Sequence, residues 1–170
     1  MAVAVLETPS STETGPRSTA VGVDGDETVV LPRGVAAAHD ALDPEEFEEA
    51  IAALCERDGC SHVELVGGAG DLGADILAVA PDGRRVVIQC KRYGGTHRVG
   101  SQDLQRFGGT CFTIHEADVA VVVTTSGFTA PAAEYAEQCG IVCWDGQALG
   151  AWDAGIGPTP WDAQAEGVVD

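Results

Sequence analysis

The sequence predicts an α/β fold in which a mixed β-sheet is flanked by helices, with the elements in the order αβββαβαβ. Three observations support this prediction. Apolar residues recur at helical spacing in several segments, short β-branched runs alternate with those segments, and a Pro-Asp-Gly turn separates two of the runs. Strands interleaved with helices in this way indicate a sheet that is covered by helices on its faces.

The chain of 170 residues suits one domain of ordinary size with tails. Residues 1–40 are rich in Thr, Ser, Gly, Asp and Glu and show no sustained hydrophobic period, so we expect a disordered acidic N-terminal tail. We place the folded domain at residues 41–152. Residues 153–170 are rich in Gly, Pro and Asp, and we expect a flexible C-terminal tail.

The first helix is predicted over the segment DPEEFEEAIAALCERDG. Asp43 suits the N-cap, Pro44 suits the first helical position, and Glu46 completes a capping box. Apolar residues then recur at helical spacing until Gly59 ends the helix. Three strands follow, in SHVELV, ADILAVA and RRVVIQCKRY, with the glycine-rich GGAGDLG after the first of them.

The second half of the domain alternates helices with strands. The segment GSQDLQRFGGTCFTIHEA predicts a helix that Gly108 and Gly109 interrupt, and DVAVVVTTS predicts a fully buried strand. TAPAAEYAEQCG predicts a helix with Pro131 in its first turn. IVCW predicts a last short strand, and DGQALGAW starts a terminal helical turn.

The distribution of charge is more informative than the formal net charge of −18. Six of the nine basic residues fall between positions 84 and 106, where Asp103 is the only acid. A local excess of positive charge on an acidic background predicts a patch that contacts a polyanion. The other interpretation is a solvated strand end with ordinary surface arginines.

Several features bear on the cell compartment. No apolar run approaches the roughly 18 residues that a membrane span requires, and the N-terminal MAVAVL is too short for a signal peptide. The six cysteines form no CxxC pair, and we interpret them as reduced residues of the core. We therefore expect a cytoplasmic protein that makes no membrane contact.

Residues 68–73 read GAGDLG and match the G-x-G-x-x-G spacing of dinucleotide-binding loops. That function requires a helix to begin in the loop, so that its N-terminal amides meet the pyrophosphate. The next segment, ADILAVAPDG, predicts a strand and a turn instead. We therefore expect these glycines to allow a sharp bend that exposes the neighbouring acids.

The turn at residues 81–83, Pro-Asp-Gly, predicts which strand residues face each other. It suits a three-residue hairpin loop that pairs Ala80 with Arg84. In that register Asp75 lies opposite Gln89, whereas a two-residue loop would break the alignment. The turn chemistry thus predicts the composition of one strand end.

Side chains alternate along a strand, so Asp75, Gln89 and Lys91, the only lysine of the chain, would emerge on one face. A hard divalent cation prefers oxygen ligands, here the Asp75 carboxylate, the Gln89 side-chain oxygen and the backbone carbonyl of Cys90. Such an ion would polarise a phosphate and lower the pKa of a bound water. Lys91 would orient that water or stabilise the charge on the phosphoryl oxygens. The alternative is a hairpin whose polar ends simply reach solvent.

The segment GDLGADILAVAPDGRRVVIQCKRY resembles the catalytic core of Mrr-like restriction endonucleases, which are part of the PD-(D/E)XK nuclease superfamily. The resemblance continues through VGSQDLQRFGG, VVVTTSGFTAPAAEYA and WDGQAL, and so covers about residues 43–152. It implies a restriction-endonuclease-like fold and a DNA endonuclease of restriction-modification systems that uses Mg²⁺ or Mn²⁺. It also implies that Asp75, Gln89 and Lys91 form the catalytic triad, because glutamine replaces the usual acid in this branch of the family.

Further site residues follow from the same resemblance. Glu48, in FEE, matches the family's helical glutamate and would assist the metal or the water. Asp71, the other acid of the glycine-rich bend, ranks below Asp75. We expect DNA contacts from residues that follow the third strand and begin the next helix: Arg92, His97, Arg98, Gln102 and Arg106. A surface loop without function is the alternative for His97 and Arg98.

The first hypothesis is therefore a metal-dependent DNA endonuclease of restriction type, for which the resemblance implies modified DNA as a substrate. One alternative is a junction-resolving or repair nuclease. Another is a catalytically weak or inactive nuclease-fold module that binds DNA without cutting it. Cleavage of both strands normally requires two active sites, which predicts a homodimer, and the acidic tail would bind a protein partner or shield the basic groove.

Overall fold

A computed structural model describes residue 39 and residues 41–67, 73–94 and 96–163. The predicted order αβββαβαβ is confirmed, with one further helix after the last strand. The elements are α1 (Pro44–Arg57), β1 (Ser61–Leu65), β2 (Ile76–Val79), β3 (Arg85–Lys91), α2 (Ser101–Cys111), β4 (Val119–Thr124), α3 (Ala130–Cys139), β5 (Ile141–Trp144) and α4 (Gly146–Ala154). Asp71 and the predicted N-terminal tail, apart from residue 39, lie outside the described residues.

Helix α1 begins as its sequence predicts. The Glu46 N–H donates to Asp43 Oδ1 at 2.7 Å, and the Asp43 N–H donates to Glu46 Oε1 at 3.1 Å, so the capping box is closed. Pro44 occupies the first turn, where its lack of an N–H costs no hydrogen bond. The buried face of the helix, which includes Phe47 and Ile51, packs on the sheet.

The five strands form one sheet in the order β1-β2-β3-β4-β5. The first three strands run antiparallel to their neighbours, while β3, β4 and β5 are parallel to one another. β4 is buried along its whole length, as its unbroken β-branched sequence predicts. Because β3 and β4 are parallel neighbours, their C-terminal ends lie side by side, with Lys91 paired to Thr124.

The predicted hairpin register between β2 and β3 is confirmed. The Ala80 N–H donates to the Arg84 carbonyl at 2.8 Å, and Gly83 adopts a left-handed φ of +96° that favours glycine. The pairing of the two strands continues from this loop without a shift. One residue beyond the last pair of the ladder, Asp75 therefore lies level with Gln89.

Helices cover both faces of the sheet. α1 and α4 pack on the face that carries Val86 and Ile88, and α2 and α3 pack on the face that carries Val87. Because side chains alternate along β3, Gln89 and Lys91 belong to the face of α2. None of the described helices is long and apolar enough to cross a bilayer.

Helix α2 runs without a break through Gly108 and Gly109, so the predicted interruption is wrong. The two glycines have different surroundings. A Cβ atom on Gly108 would lie 2.9 Å from Tyr135 Oη, whereas a Cβ on Gly109 would meet nothing within 4 Å. Gly108 thus lets α2 approach α3 closely, and the packing of the two helices outweighs the low helix propensity of glycine.

The structure differs from the flexible tail that we expect after residue 152. Trp161 is 2% exposed and meets Trp152 edge-on, with ring centroids 5.9 Å apart. Arg84 Nη2 also donates to the Trp161 carbonyl at 2.9 Å. An indole of this size buries a large apolar area, which holds the segment against the core. Residues 164–170 lie outside the described part of the chain.

Candidate active site

The carboxylate of Asp75 lies against the backbone of β3. The regular pairing of β2 with β3 ends at Ile76. Beyond it, Asp75 Oδ2 accepts a hydrogen bond from the Cys90 N–H at 2.7 Å. The Asp75 carboxylate is thereby held beside the backbone that joins Gln89 to Lys91.

The carbonyl of Cys90 faces the same edge of β3. Within a strand, the N–H and C=O of one residue point toward the same neighbouring strand. Because the Cys90 N–H points to the Asp75 carboxylate, the Cys90 carbonyl also points past the end of β2. Two of the three predicted metal ligands therefore share this edge.

Gln89 supplies a third oxygen. Its Oε1 atom is buried and accepts no hydrogen bond from any described residue. An unsatisfied buried polar atom costs roughly 1–3 kcal/mol, so this oxygen is suited to take a cation or a donor from a ligand. Gly73 lies beside the same amide, with a left-handed φ of +89° and an added Cβ only 3.5 Å from Gln89 Nε2. A larger residue at Gly73 would strain the backbone and crowd the site.

Lys91 and Gln89 line one pocket of about 360 Å³. The segment before β2, the end of β3 and one side of α2 form its walls through Gly73, Gln89, Lys91, Asp103, Arg106 and Thr110. The Lys91 side chain is 25% exposed. Because Lys91 lines the pocket, its ammonium can meet an anion that enters.

Asp103 also lines this pocket, although its sequence context predicts no role for it in the site. Its Oδ1 atom lies 3.7 Å from Lys91 Nζ and 3.7 Å from Arg106 Nη2. Its Oδ2 atom accepts hydrogen bonds of 3.3 Å from Tyr93 Oη and from the Gly100 N–H. The available sequence signal is an isolated acid among basic residues, which points to an ion pair.

Glu48 approaches the site from α1. Burial first, and then the charges of Asp75 and Glu48, raise the pKa of the Cys90 thiol well above its ordinary value. The thiol is therefore neutral at physiological pH. A Cβ atom on Gly67 would lie 3.7 Å from Glu48 Oε1, and the N–H of the neighbouring Val66 donates to the Asp75 carbonyl at 2.8 Å. The Glu48 carboxylate therefore lies near the backbone that pairs with Asp75.

The predicted DNA contacts occupy different parts of the surface. Arg106 lines the pocket beside Lys91, with its side chain 67% exposed, and Gln102 is exposed on the same helix. His97 and Arg98 are exposed in the loop after β3, where Arg98 lines a second pocket of about 420 Å³. Arg92 is half-buried.

Arg84 and Arg85 do not belong to this surface, so the predicted basic patch is wrong in part. Arg85 and Lys91 are six residues apart on β3, which corresponds to a distance of about 20 Å along an extended strand. At the far end Arg84 Nε donates to Asp82 at 2.8 Å, and Arg85 Nε donates to the His115 carbonyl at 2.6 Å. Residues that cluster in sequence are placed at opposite ends of an extended strand.

The residues at the end of β3 fit a hard divalent cation. The Asp75 carboxylate, the Cys90 carbonyl and the Gln89 amide offer oxygen, the ligand atom that Mg²⁺ and Mn²⁺ prefer. Within the described ranges, no three His, Cys, Asp or Glu side chains are grouped as metal ligands. The donor set predicted from the sequence has one carboxylate and two neutral oxygens, which is poor for zinc.

Solved structures share this architecture. The DNA modification-dependent restriction endonuclease AspBHI is similar with a TM-score of 0.56 and 18% identity over 98% of this chain and 46% of that chain. The MspJI restriction endonuclease, solved in complex with a 27-mer oligonucleotide, has a TM-score of 0.55 and 17% identity over 96% of this chain and 40% of that one. A protein of unknown function has a TM-score of 0.50 and 21% identity over 58% of this chain and 55% of its own. At such identities these similarities establish the fold, and the chain spans less than half the length of AspBHI or MspJI.

A comparison of the sequence with models of protein families identifies the family of this chain. No curated protein matches the chain. The model of the restriction endonuclease family Mrr_cat matches residues 39–152. That range contains every predicted site residue, together with the strand and helix that form the pocket. Because the match spans well over half of the sequence, the chain belongs to the Mrr family of restriction endonucleases.

Proposed function

We propose that this chain is a DNA endonuclease of restriction type, which hydrolyses phosphodiester bonds with a water activated by Mg²⁺ or Mn²⁺. One observation supports the proposal: Gln89 and Lys91 line one pocket at the end of β3, and the backbone between them donates a hydrogen bond to the Asp75 carboxylate. Family membership supports the same reaction class.

Each residue at the end of β3 has a distinct role in this reaction. Asp75, Gln89 and the Cys90 carbonyl would hold the cation, which when bound polarises the phosphate and lowers the pKa of a coordinated water. Lys91 donates hydrogen bonds to the phosphoryl oxygens, where negative charge grows in the transition state. A lysine suits this role because its compact ammonium has three donors that need not bind one partner in parallel.

Glu48 completes the proposed machinery from the side of α1. Its carboxylate lies near the backbone that pairs with Asp75, where it could accept a hydrogen bond from the attacking water or from a ligand of the cation. We assign it an assisting role, because a residue that orients the water adds to the rate without replacing the cation.

DNA would lie across the pocket edge, with its backbone against the exposed cations that follow β3. Arg106 borders the pocket itself, Arg98 extends the positive surface along the loop, and His97 is exposed next to it. Such contacts position a duplex without reading its sequence. Modified DNA is the substrate class that we propose to test first, because AspBHI is modification-dependent. A homodimer would supply the second active site for cleavage of both strands.

A plasmid-cleavage assay with a metal titration tests the proposal. Supercoiled DNA, methylated or unmethylated, is incubated with the protein in Mg²⁺ or Mn²⁺, and nicked and linear products are measured. Lys91→Ala and Asp75→Ala should abolish cleavage. Asp82→Asn is a matched control, because it removes one carboxylate charge from the turn at the other end of the same hairpin, and it should cleave like the wild type.

Two alternatives give different results in the same assay. Because Gln89 is neutral, the site has one formal negative charge fewer than an Asp-Glu pair, which favours a module that binds DNA without cutting. That module would bind DNA in fluorescence anisotropy but leave the plasmid intact in both metals. A junction-resolving or repair nuclease would cleave branched or mismatched DNA in preference to the intact plasmid.

A further inference from the structure

The carboxylate of Asp103 is held in a fixed orientation beside Lys91. The Tyr93 hydroxyl and the Gly100 N–H both donate to Oδ2 at 3.3 Å, so the other oxygen is left to face Lys91 Nζ and Arg106 Nη2. Only 16% of the Asp103 side chain is exposed. A carboxylate with so little exposure exerts a stronger field on a neighbouring cation than a surface acid does.

The distance between the two charges is informative. At 3.7 Å, Oδ1 and Lys91 Nζ form an ion pair but lie beyond the usual hydrogen-bond range of about 2.7–3.2 Å. At this distance Asp103 attracts the ammonium without accepting a hydrogen bond from it. Asp103 therefore takes none of the Lys91 donors, which could serve the phosphate and the water.

Tyr93 supports this arrangement. Burial first, and then the neighbouring Asp103 carboxylate, raise the pKa of Tyr93 above its ordinary value. Its hydroxyl is therefore protonated at physiological pH and donates to Oδ2. The carboxylate is anchored by the end of β3 on one side and by the start of α2 on the other.

We propose that Asp103 is a positioning residue, which steers the ammonium of Lys91 toward the scissile phosphate. This inference rests on the proposed endonuclease function. It differs from a role in capping α2 alone, which would affect stability only. It also differs from a role as a mask, in which Asp103 would neutralise Lys91 and Arg106 until DNA displaced it.

Asp103→Asn separates these roles. The asparagine side chain keeps an oxygen for Tyr93 and for the Gly100 N–H but loses the charge that holds Lys91. We expect the single-turnover cleavage rate to fall by about 10–10²-fold, the order expected when a reacting group is misplaced by about an ångström. DNA affinity should be unchanged or higher, because the pocket becomes more positive. Asp103→Glu should recover part of the rate.

Glu137→Gln is the control for net charge, since Glu137 is exposed on α3 and its substitution changes the charge of the protein by the same amount. It should cleave like the wild type. A wild-type rate in Asp103→Asn would overturn the positioning role. A higher cleavage rate in that variant would overturn it in favour of the mask.

A second measurement does not depend on cleavage. Lys91 is the only lysine in the chain, so protein labelled with ¹³C-lysine gives NMR signals from one side chain, without DNA or metal. The ε-carbon of Lys91 should show restricted motion in the wild type and a clearly lower order parameter in Asp103→Asn. Equal order parameters would overturn the inference. Absence of cleavage by the wild type would refute the endonuclease function, while the NMR comparison would still decide whether Asp103 orients Lys91.

Discussion

The Asp75 carboxylate takes the place of a backbone acceptor for the Cys90 N–H, at a distance of 2.7 Å, where β2 stops pairing with β3. The same contact that completes the ladder thus positions an acid beside Gln89 and Lys91. A strand end is a rigid support, because its backbone is fixed by its neighbours. The geometry of the candidate site therefore follows from the geometry of the hairpin.

Asp75→Asn should separate the structural role of Asp75 from its catalytic role. The asparagine oxygen can still accept from the Cys90 N–H, so we expect the melting temperature to change little. Loss of the single carboxylate ligand should lower metal-dependent cleavage by about 10²–10³-fold, since a metal supplies several kcal/mol of charge stabilisation. Plasmid nicking and thermal unfolding measure the two effects. Retention of full activity would exclude Asp75 as a ligand.

Gln89→Met should have opposite effects on stability and on activity. Methionine has nearly the same shape and removes a buried oxygen that has no hydrogen-bond partner among the described residues. In metal-free buffer, the free energy of unfolding should stay equal or rise by about 1 kcal/mol, because the unsatisfied group is gone. Cleavage in Mg²⁺ should be lost. Gln138→Met, at an exposed position on α3, is the matched control and should keep its cleavage activity.

The two adjacent glycines of α2 give a matched pair of substitutions. Gly109→Ala adds a methyl group into open space and should stabilise the protein by about 0.5–1 kcal/mol through helix propensity. Gly108→Ala would place its Cβ 2.9 Å from Tyr135 Oη, so overpacking should offset that gain and destabilise the protein by about 1 kcal/mol or more. Denaturant unfolding measures both. Equal stabilisation by the two substitutions would refute the close packing of α2 on α3.

The stability of the protein should depend on Asp58 at acidic pH. The hydrogen bond from Arg57, and then that from the Trp152 indole, lower the pKa of Asp58 below its ordinary value of 3.8. A group whose pKa is lower in the folded state stabilises the fold above the unfolded pKa. That contribution, about 1–2 kcal/mol for a half-exposed pair that also satisfies a buried indole, is lost as the pH falls through the folded pKa.

Unfolding curves of the wild type and of Asp58→Asn between pH 7 and pH 2 test this dependence. At pH 7 the wild type should have a higher free energy of unfolding than Asp58→Asn. This difference between the two proteins should shrink below pH 4. Glu134→Gln, which alters an exposed acid on α3, should follow the wild type. If the difference in the free energy of unfolding between the two proteins stayed constant from pH 7 to pH 2, ionisation of Asp58 would not contribute to stability.

Local sequence chemistry is sufficient to predict the hairpin. Pro-Asp-Gly allows a three-residue loop, the loop sets the register, and the register places Asp75 level with Gln89. The glycine-rich segment likewise leads into a strand, as predicted, rather than into a nucleotide-binding helix. These predictions succeed because each depends on contacts between residues that are close in sequence.

Contacts between distant elements are not predictable in this way. Asp103 meets Lys91 only because α2 packs across the end of β3. Arg85 donates to the His115 carbonyl only because the segment between α2 and β4 packs beside the start of β3. The sequence predicts that Gly108 breaks the helix, because the close contact with Tyr135 exists only in the folded protein. In each case the decisive partner lies on an element whose position depends on the whole fold.

The burial of Trp161 has a practical consequence for anyone who shortens or fuses this protein. The family match ends at residue 152, yet the aromatic stack on Trp152 and the contact to Arg84 come from nine residues later. A fragment trimmed to the match would expose the indole of Trp152 to water and invite aggregation. A fusion joint or a purification tag is better attached after residue 163.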